Sequence, residues 1–462
     1  TLSGLSVTVA NLGGIAAATP LALLAGAIGW RGAFYLVAAL TAGLAVLVWR
    51  FVHARPEDIG LPSPALTRHT LDRYLEPLAA WGVPVRSREL SLGDYGTMGA
   101  GEGRDRRSLG AKVLLSQTSF LGDTLLTVPL ARRIKEALPD CRLSVLTRPQ
   151  TAELFRRSPW VDEVLLDDKR GAHAGVRGTL ALSRSLRAKG FDTAIVAHRS
   201  LRSALLVWLA RIPYRIGFSA SAGSFLFHRK VFFSWGMPEL ERNLALLLPL
   251  KPDLRIENRD ALFLEPGRGA PAPPPAVSME ARLAEAGVVA GTRLAALHPG
   301  SVWKTKRWPA ESYARLASRL SKEAGAKVML VGGPEDAPLC AEVARLSGIA
   351  ALDWAGKTTL PELIALAPRW NLFVTNDSGP MHVAAAAGVP TLALFGPTTR
   401  ELGFFPYGRG HRVIEVDRPC RPCGLHGANA CPEGHFLCMR LISVDEVFQA
   451  ASGMLAAPAQ VR

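Results

Sequence analysis

The sequence predicts an α/β protein of two doubly wound domains, preceded by a transmembrane-like helical hairpin. Three observations predict it. From Lys112 onward short apolar runs alternate with helical stretches, the pattern of a parallel sheet covered by helices. The run Pro271-Ala272-Pro273-Pro274-Pro275 interrupts that alternation, and a second alternating series follows it. Residues 1–30 carry no charge at all. At 462 residues the chain also exceeds one ordinary core, so two or three domains are expected.

The hairpin is read over residues 1–60. Arg31 ends the first uncharged run, and Ala33 to Trp49 is apolar again up to Arg50. Each run approaches the roughly 20 residues that cross a bilayer. Gly13, Gly14, Pro20, Gly26 and Gly43 would weaken a soluble helix but are commoner in transmembrane ones. A tight turn is expected at Gly29-Trp30-Arg31-Gly32, and Arg50, His53 and Arg55 put the exit of the second helix on the cytoplasmic side. The segment Gly29 to Phe34 resembles the link between the fifth and sixth helices of major facilitator superfamily transporters. That match covers about sixty residues where about twelve helices are needed, which excludes a working transporter. A buried soluble hairpin is the alternative. The start at Thr1, without methionine, leads us to expect a fragment or a processed product, and no signal peptide is recognisable.

Residues 61–108, with early prolines and a Gly/Arg-rich stretch from Gly99 to Arg107, read as a linker. The first α/β domain is placed at 109–265. Its strands are expected at Val113–Ser116, Leu143–Leu146, Glu163–Leu166, Thr193–Ala197 and Arg215–Phe218, with a helix from Asp123 to Ala137. An interdomain linker at 266–292 contains the proline run, which should be stiff and extended. The second domain, 293–462, has expected strands at Leu294–Leu297, Val328–Val331, Leu372–Thr375 and Thr391–Phe395. In such sheets ligands sit at the carboxyl ends of strands, so the loops after strands hold the chemistry.

Three of those loops stand out. In Ser119-Phe120-Leu121-Gly122-Asp123, Gly122 permits a tight turn and Asp123 falls where a helix N-cap belongs. Asp123 reads either as that cap or as a general base at the mouth of a cleft. His298-Pro299-Gly300-Ser301, followed by Lys304, Lys306 and Arg307-Trp308-Pro309, combines small residues with mobile positive charge suited to phosphate. Alone, that basic cluster reads more readily as a solvated face than as a phosphate site. Neither a Walker motif nor G-x-G-x-x-G occurs there, which argues against P-loop and nicotinamide chemistry. The third loop is the most specific: Thr375-Asn376-Asp377-Ser378-Gly379-Pro380-Met381-His382, with Phe395-Gly396-Pro397-Thr398 after the next strand. Ser378-Gly379-Pro380 opens a helix whose free amides make a pyrophosphate site, and Pro380 fits a first turn. The alternative is capping by Asp377 or Ser378 with a core His382.

Ser119–Asp123 with Thr127-Val128-Pro129-Leu130, Lys306–Pro309, and Asn376–His382 with Phe395–Thr398 resemble the three signatures of the lipopolysaccharide heptosyltransferases, glycosyltransferase family 9. The resemblance spans about residues 110–450. It implies two Rossmann-like domains facing a cleft (GT-B type), inversion at the anomeric centre and no metal required for transfer. It implies Asp123 as general base, and Ser301 and Lys306 on the donor diphosphate. It further implies Asp377, Gly379 and His382, with Ser378, in the sugar-diphosphate pocket. The loop Gly332-Gly333-Pro334-Glu335-Asp336 lies where the family holds the adenosine ribose, and either Glu335 or Asp336 could accept its hydroxyls. The donor implied is ADP-heptose, the acceptor a lipid A–Kdo type inner core, and the place the cytoplasmic face of the inner membrane, integral if residues 1–60 span it. Rivals are a nucleotide-sugar 2-epimerase-like enzyme and an inactive membrane-tethered sugar-nucleotide module. No Asp-x-Asp pair lies in the cleft loops, consistent with metal-free transfer.

Cys420, Cys423, Cys431 and Cys438 crowd the tail, with His426 and His435 between them. This is not a secreted disulfide scaffold. A structural zinc or iron–sulfur cluster, reduced thiols and disulfides are the open readings. The net charge of +15 favours anionic partners, although an Arg-rich chain can be basic without one. Nucleic acid is not among the partners implied.

Overall fold

The computed structural model describes residues 110–156, 158–256 and 274–457. Both sheets belong to one compact unit spanning 86–462. The first sheet comprises β1 (Lys112–Ser116), β2 (Arg142–Thr147), β3 (Glu163–Leu166), β4 (Thr193–Val196), β5 (Tyr214–Phe218) and β6 (Arg229–Val231), in the order β3-β2-β1-β4-β5-β6. The second comprises β7 (Leu294–His298), β8 (Lys327–Leu330), β9 (Leu352–Asp353), β10 (Leu372–Asn376), β11 (Thr391–Phe395) and β12 (Arg412–Glu415), in the order β12-β11-β10-β7-β8-β9. Every pairing in both sheets is parallel. Each order reverses beside its first strand, at β1/β4 and at β7/β10, and a doubly wound sheet opens its ligand crevice at such a point.

The core follows from strand alternation. Val113 and Leu115 point to one face of β1 and join an apolar cluster that continues through Ala296, Met329 and Phe373 of the second sheet. Leu114 points the other way, into a separate cluster with Leu182, Leu186 and Val207. Ala295 and Leu297 pack beneath the helix Ala310–Lys322 with Leu316 and Leu320. The two halves also meet through polar groups. Arg242 Nη2 donates to Leu402 O at 2.8 Å, and the Glu239 amide donates to Gly403 O at 2.9 Å.

Three expectations need correction. The helix expected over 123–137 is two, Leu121–Leu125 and Val128–Ala137. Pro129 has no amide proton, so the second helix starts afresh with proline in its first turn. The proline run is not extended throughout, since Pro274 and Pro275 open the helix Pro274–Glu285, where their missing amides cost nothing. Three strands were missed, β6, β9 and β12, and all three lie at sheet edges. Edge strands are short and half-solvated, so they lack the apolar run that marks a central strand.

Among the described residues no helix is long and apolar enough to cross a membrane. The hairpin and transporter-like segment of 1–60, and the linker at 61–108, lie outside the described residues.

Candidate active site

Asp123 is the third residue of the short helix Leu121–Leu125 and does not cap it. Phe120 occupies the cap position, and the Asp123 carboxylate instead accepts from Ser119 Oγ at 2.8 Å. The cap reading is therefore corrected. Its loop is fixed from below: Gln117 Nε2 donates to Thr127 Oγ1 at 3.0 Å, and Thr127 Oγ1 donates to the Asp123 carbonyl at 2.8 Å. The residue is half-buried, with its Oδ2 held by Ser119.

The β1 loop meets the β10 loop directly. A Cβ on Gly122 would lie 3.0 Å from His382 Cδ2, and one on Gly379 would lie 3.1 Å from Leu121 Cδ2. These two glycines let the helix bearing Asp123 approach the helix Gly379–Ala386. His382 is buried and its Nδ1 has no hydrogen-bond partner among the described residues. Burial lowers its pKa to about 4, against the pull of Asp377 and with the Lys306 charge adding to the fall. It is a neutral imidazole near neutral pH.

Around β7 and β10 the polar side chains interlock. Lys306 Nζ donates to Asp377 Oδ2 at 2.5 Å, and Thr398 Oγ1 donates to the same oxygen at 2.7 Å. Ser301 Oγ donates to the Asp377 carbonyl at 3.4 Å. Ser378 does not cap its helix. Its hydroxyl lies 3.1 Å from His298 Nδ1 and 3.0 Å from Thr375 Oγ1. Among the described residues no side chain caps the amides that open this helix, an electropositive end suited to an anion.

Glu335 and Asp336 are told apart by burial. Asp336 is buried, with its Oδ2 3.3 Å from His298 Nε2 and accepting from the Gly333 amide at 3.1 Å. Burial works to raise its pKa, but the His298 hydrogen bond and charge, the Gly333 amide and Arg307 together hold it below the usual carboxylate range. Glu335 is exposed on the same turn.

Several participants have no role assigned from the sequence, although Asn376 lies within the third loop. Asn376 donates to Pro299 O at 2.8 Å and accepts from the Trp308 amide at 3.0 Å, tying the β7 and β10 loops. Arg148, Lys169 and Arg199 surround His198 and lower its pKa to about 4 after burial has done most of that work. Lys169 Nζ donates to Thr118 O at 2.7 Å, and Arg199 stacks on Phe233 at 4.1 Å within electrostatic reach of Asp123. Each of these cations follows a strand by no more than three positions, a signal that could have found them.

The cysteine-rich segment grips the same loops. Arg421 Nε donates to Gly396 O, while Nη2 reaches Thr398 O at 2.9 Å and Glu415 Oε2 at 2.6 Å. Thr305 and Ala428 exchange hydrogen bonds, Thr305 N to Ala428 O at 3.0 Å and Ala428 N to Thr305 Oγ1 at 2.8 Å. Cys420, Cys423, Cys431 and Cys438 are all unpaired. Among the described residues no three Cys, His, Asp or Glu side chains are grouped as metal ligands.

The chain is similar to known proteins. Glycosyltransferase family 9 (heptosyltransferase) matches the chain over residues 179–430. Lipooligosaccharide heptosyltransferase 2 of Haemophilus influenzae is 30% identical over 298 residues, covering 62% of this chain and 84% of that protein. Lipopolysaccharide heptosyltransferase 2 of Salmonella typhimurium is 28% identical over 326 residues, 66% of this chain and 88% of that protein. Among solved structures, the glycosyl transferase family 9 protein of Veillonella parvula superposes with a TM-score of 0.67 at 24% identity, covering 75% of this chain and 98% of that one.

Proposed function

Because this chain belongs to glycosyltransferase family 9, the heptosyltransferases, we propose that it transfers heptose from ADP-heptose to the inner core of lipopolysaccharide. The acceptor is of lipid A–Kdo type, and the anomeric centre inverts. The observation that carries this reading is the contact of the Asp123 helix with the Gly379–Ala386 helix across Gly122 and His382, which brings the helix bearing the carboxylate against a helix whose end suits an anion.

In the proposed reaction Asp123 takes the proton of an acceptor hydroxyl, and that oxygen forms the new bond to the anomeric carbon as the bond to the diphosphate breaks. The departing ADP gains negative charge, which Lys306 and the amides of Gly379 and Met381 offset. Lysine and helix amides thereby do the work of a divalent cation. Lys306 must exchange part of its Asp377 contact for phosphate, with Ser301 and Ser378 lining the pocket. Glu335, being exposed, takes the ribose hydroxyls, while Asp336 acts through His298 to place Ser378. Arg148, Lys169 and Arg199 supply the positive surroundings that an anionic acceptor needs.

The reaction belongs at the cytoplasmic face of the inner membrane, with residues 1–60 as an anchor if they span it. Fractionation of the full chain with a salt wash tests the anchor. The activity is tested by a donor screen on the full chain with mass-spectrometric detection. A mass increase of one heptose on a lipid A–Kdo acceptor, from ADP-heptose alone, is the expected result. Release of free sugar or an epimer without acceptor would instead make it an epimerase, and ADP binding without turnover an inactive module.

A further inference from the structure

Positive charge in this chain is concentrated in one stretch. Residues 169–238 contain twelve lysines and arginines, and Asp192 is their sole acid. Two helices in that stretch, Gly175–Ala188 and Leu201–Leu209, lie side by side over one face of the first sheet. Their inner faces are apolar and buried, with Leu182, Leu186, Leu206 and Val207 in the core.

Their outer faces are unusual. Val176 is 76% exposed, Trp208 47% and Leu180 36%, three large apolar side chains turned to solvent. Beside them, Arg184, Arg187 and Arg211 are exposed and form no ion pair or side-chain hydrogen bond with any described residue. Arg211 holds φ 56°, the left-handed position after a helix where glycine ordinarily sits. Between the helices runs a groove of about 620 Å³, lined by Leu180, Arg184, Arg187, Trp208 and Arg211.

We propose that this surface docks the enzyme on an anionic phospholipid bilayer. Charge complementarity selects the partner: arginines without carboxylates attract an anionic leaflet, each contributing separately. Trp208 and Leu180 supply what a soluble polyanion would leave unused, since an indole with an apolar neighbour settles at the boundary of headgroups and acyl chains. The groove accepts phosphate headgroups between the guanidinium groups. Docking here uses only the helices that flank the first sheet, so it operates whether or not the donor is ADP-heptose.

The test is co-sedimentation of the full chain with vesicles of phosphatidylcholine containing one-third phosphatidylglycerol, at low and at 0.5 M salt. Arg184→Gln/Arg187→Gln/Arg211→Gln should lower the partition coefficient at low salt at least about tenfold, and Trp208→Ser several-fold. Both variants should melt as the unmodified chain does, because the altered side chains are exposed. The unmodified chain should lose the difference from the arginine variant at 0.5 M salt. Partition unchanged in both variants would overturn the proposal. So would an arginine effect with no Trp208 effect, matched by equal binding to soluble polyphosphate, which would mark a general polyanion site.

Discussion

Lys306 Nζ stands 2.5 Å from Asp377 Oδ2, and the two side chains are almost wholly buried. A buried pair of this kind leaves an uncompensated charge when one partner is removed. Lys306→Ala should therefore destabilise the fold by about 3 kcal/mol and weaken ADP binding about tenfold or more. Adding Asp377→Asn should recover most of the melting temperature but not the ADP affinity. Calorimetry with ADP and thermal unfolding on the three variants separate the two effects, and magnesium should not restore binding fully. Unchanged ADP affinity in Lys306→Ala would remove the lysine from the donor site.

Asp123→Asn should fold normally, bind ADP normally and turn over about 10²-fold or more slowly, as loss of a general base does. Its hydrogen bond from Ser119 persists in the amide, so the loop geometry is kept. Single-turnover rates with saturating donor measure this. A rate near that of the unmodified enzyme would leave Asp123 as a loop residue only.

Glu335→Ala and Asp336→Asn should differ in kind. Glu335 is exposed, so its removal should raise the donor KM with little change in melting temperature. Asp336 is buried between His298 and the Gly333 amide, so Asp336→Asn should lower stability by about 1–3 kcal/mol and slow transfer by displacing Ser378. Equal stability losses would contradict the division of roles.

Arg421→Met should loosen the turn from Gly396 to Thr398 and so release Thr398 from Asp377. The expected outcome is a higher donor KM with an unchanged acceptor KM, partly recovered in Arg421→Lys. An equal rise in both constants would point to a general loss of structure.

His382 makes the fold sensitive to acid. Its pKa falls from 6.5 to about 4 on folding, chiefly through burial, so the unfolded chain binds the extra proton first. Stability is thus complete above about pH 6.5 and is lost as pH falls toward 4, by on the order of 3 kcal/mol. Urea midpoints measured from pH 7.5 to 4.5 should fall less steeply in His382→Gln. The same slope in both proteins would assign the acid loss elsewhere.

The loops were more legible than the roles within them. Gly122, Gly379 and Pro380 announce turns whatever the partners, because their backbone chemistry is local. Lys306, Asp377 and His382 were gathered as one pocket through a family resemblance, and the structure brings them together. The part played by Arg421 had no local signal, since its acceptors are backbone carbonyls, which any residue carries.

What the sequence by itself determined is the succession of strands and helices and the loops that follow the strands. Apolar period and turn residues act over a few positions, and nine of the twelve described strands carry that mark in full; β6, β9 and β12 do not, because edges need less burial. Only the tertiary structure decided that Asp123 bonds to Ser119 instead of capping a helix, that Asp336 is consumed by His298 while Glu335 is left free, and that Arg148, Lys169 and Arg199 gather from three separate loops. Those outcomes depend on distance and burial between residues far apart in the chain, and a one-dimensional pattern contains neither.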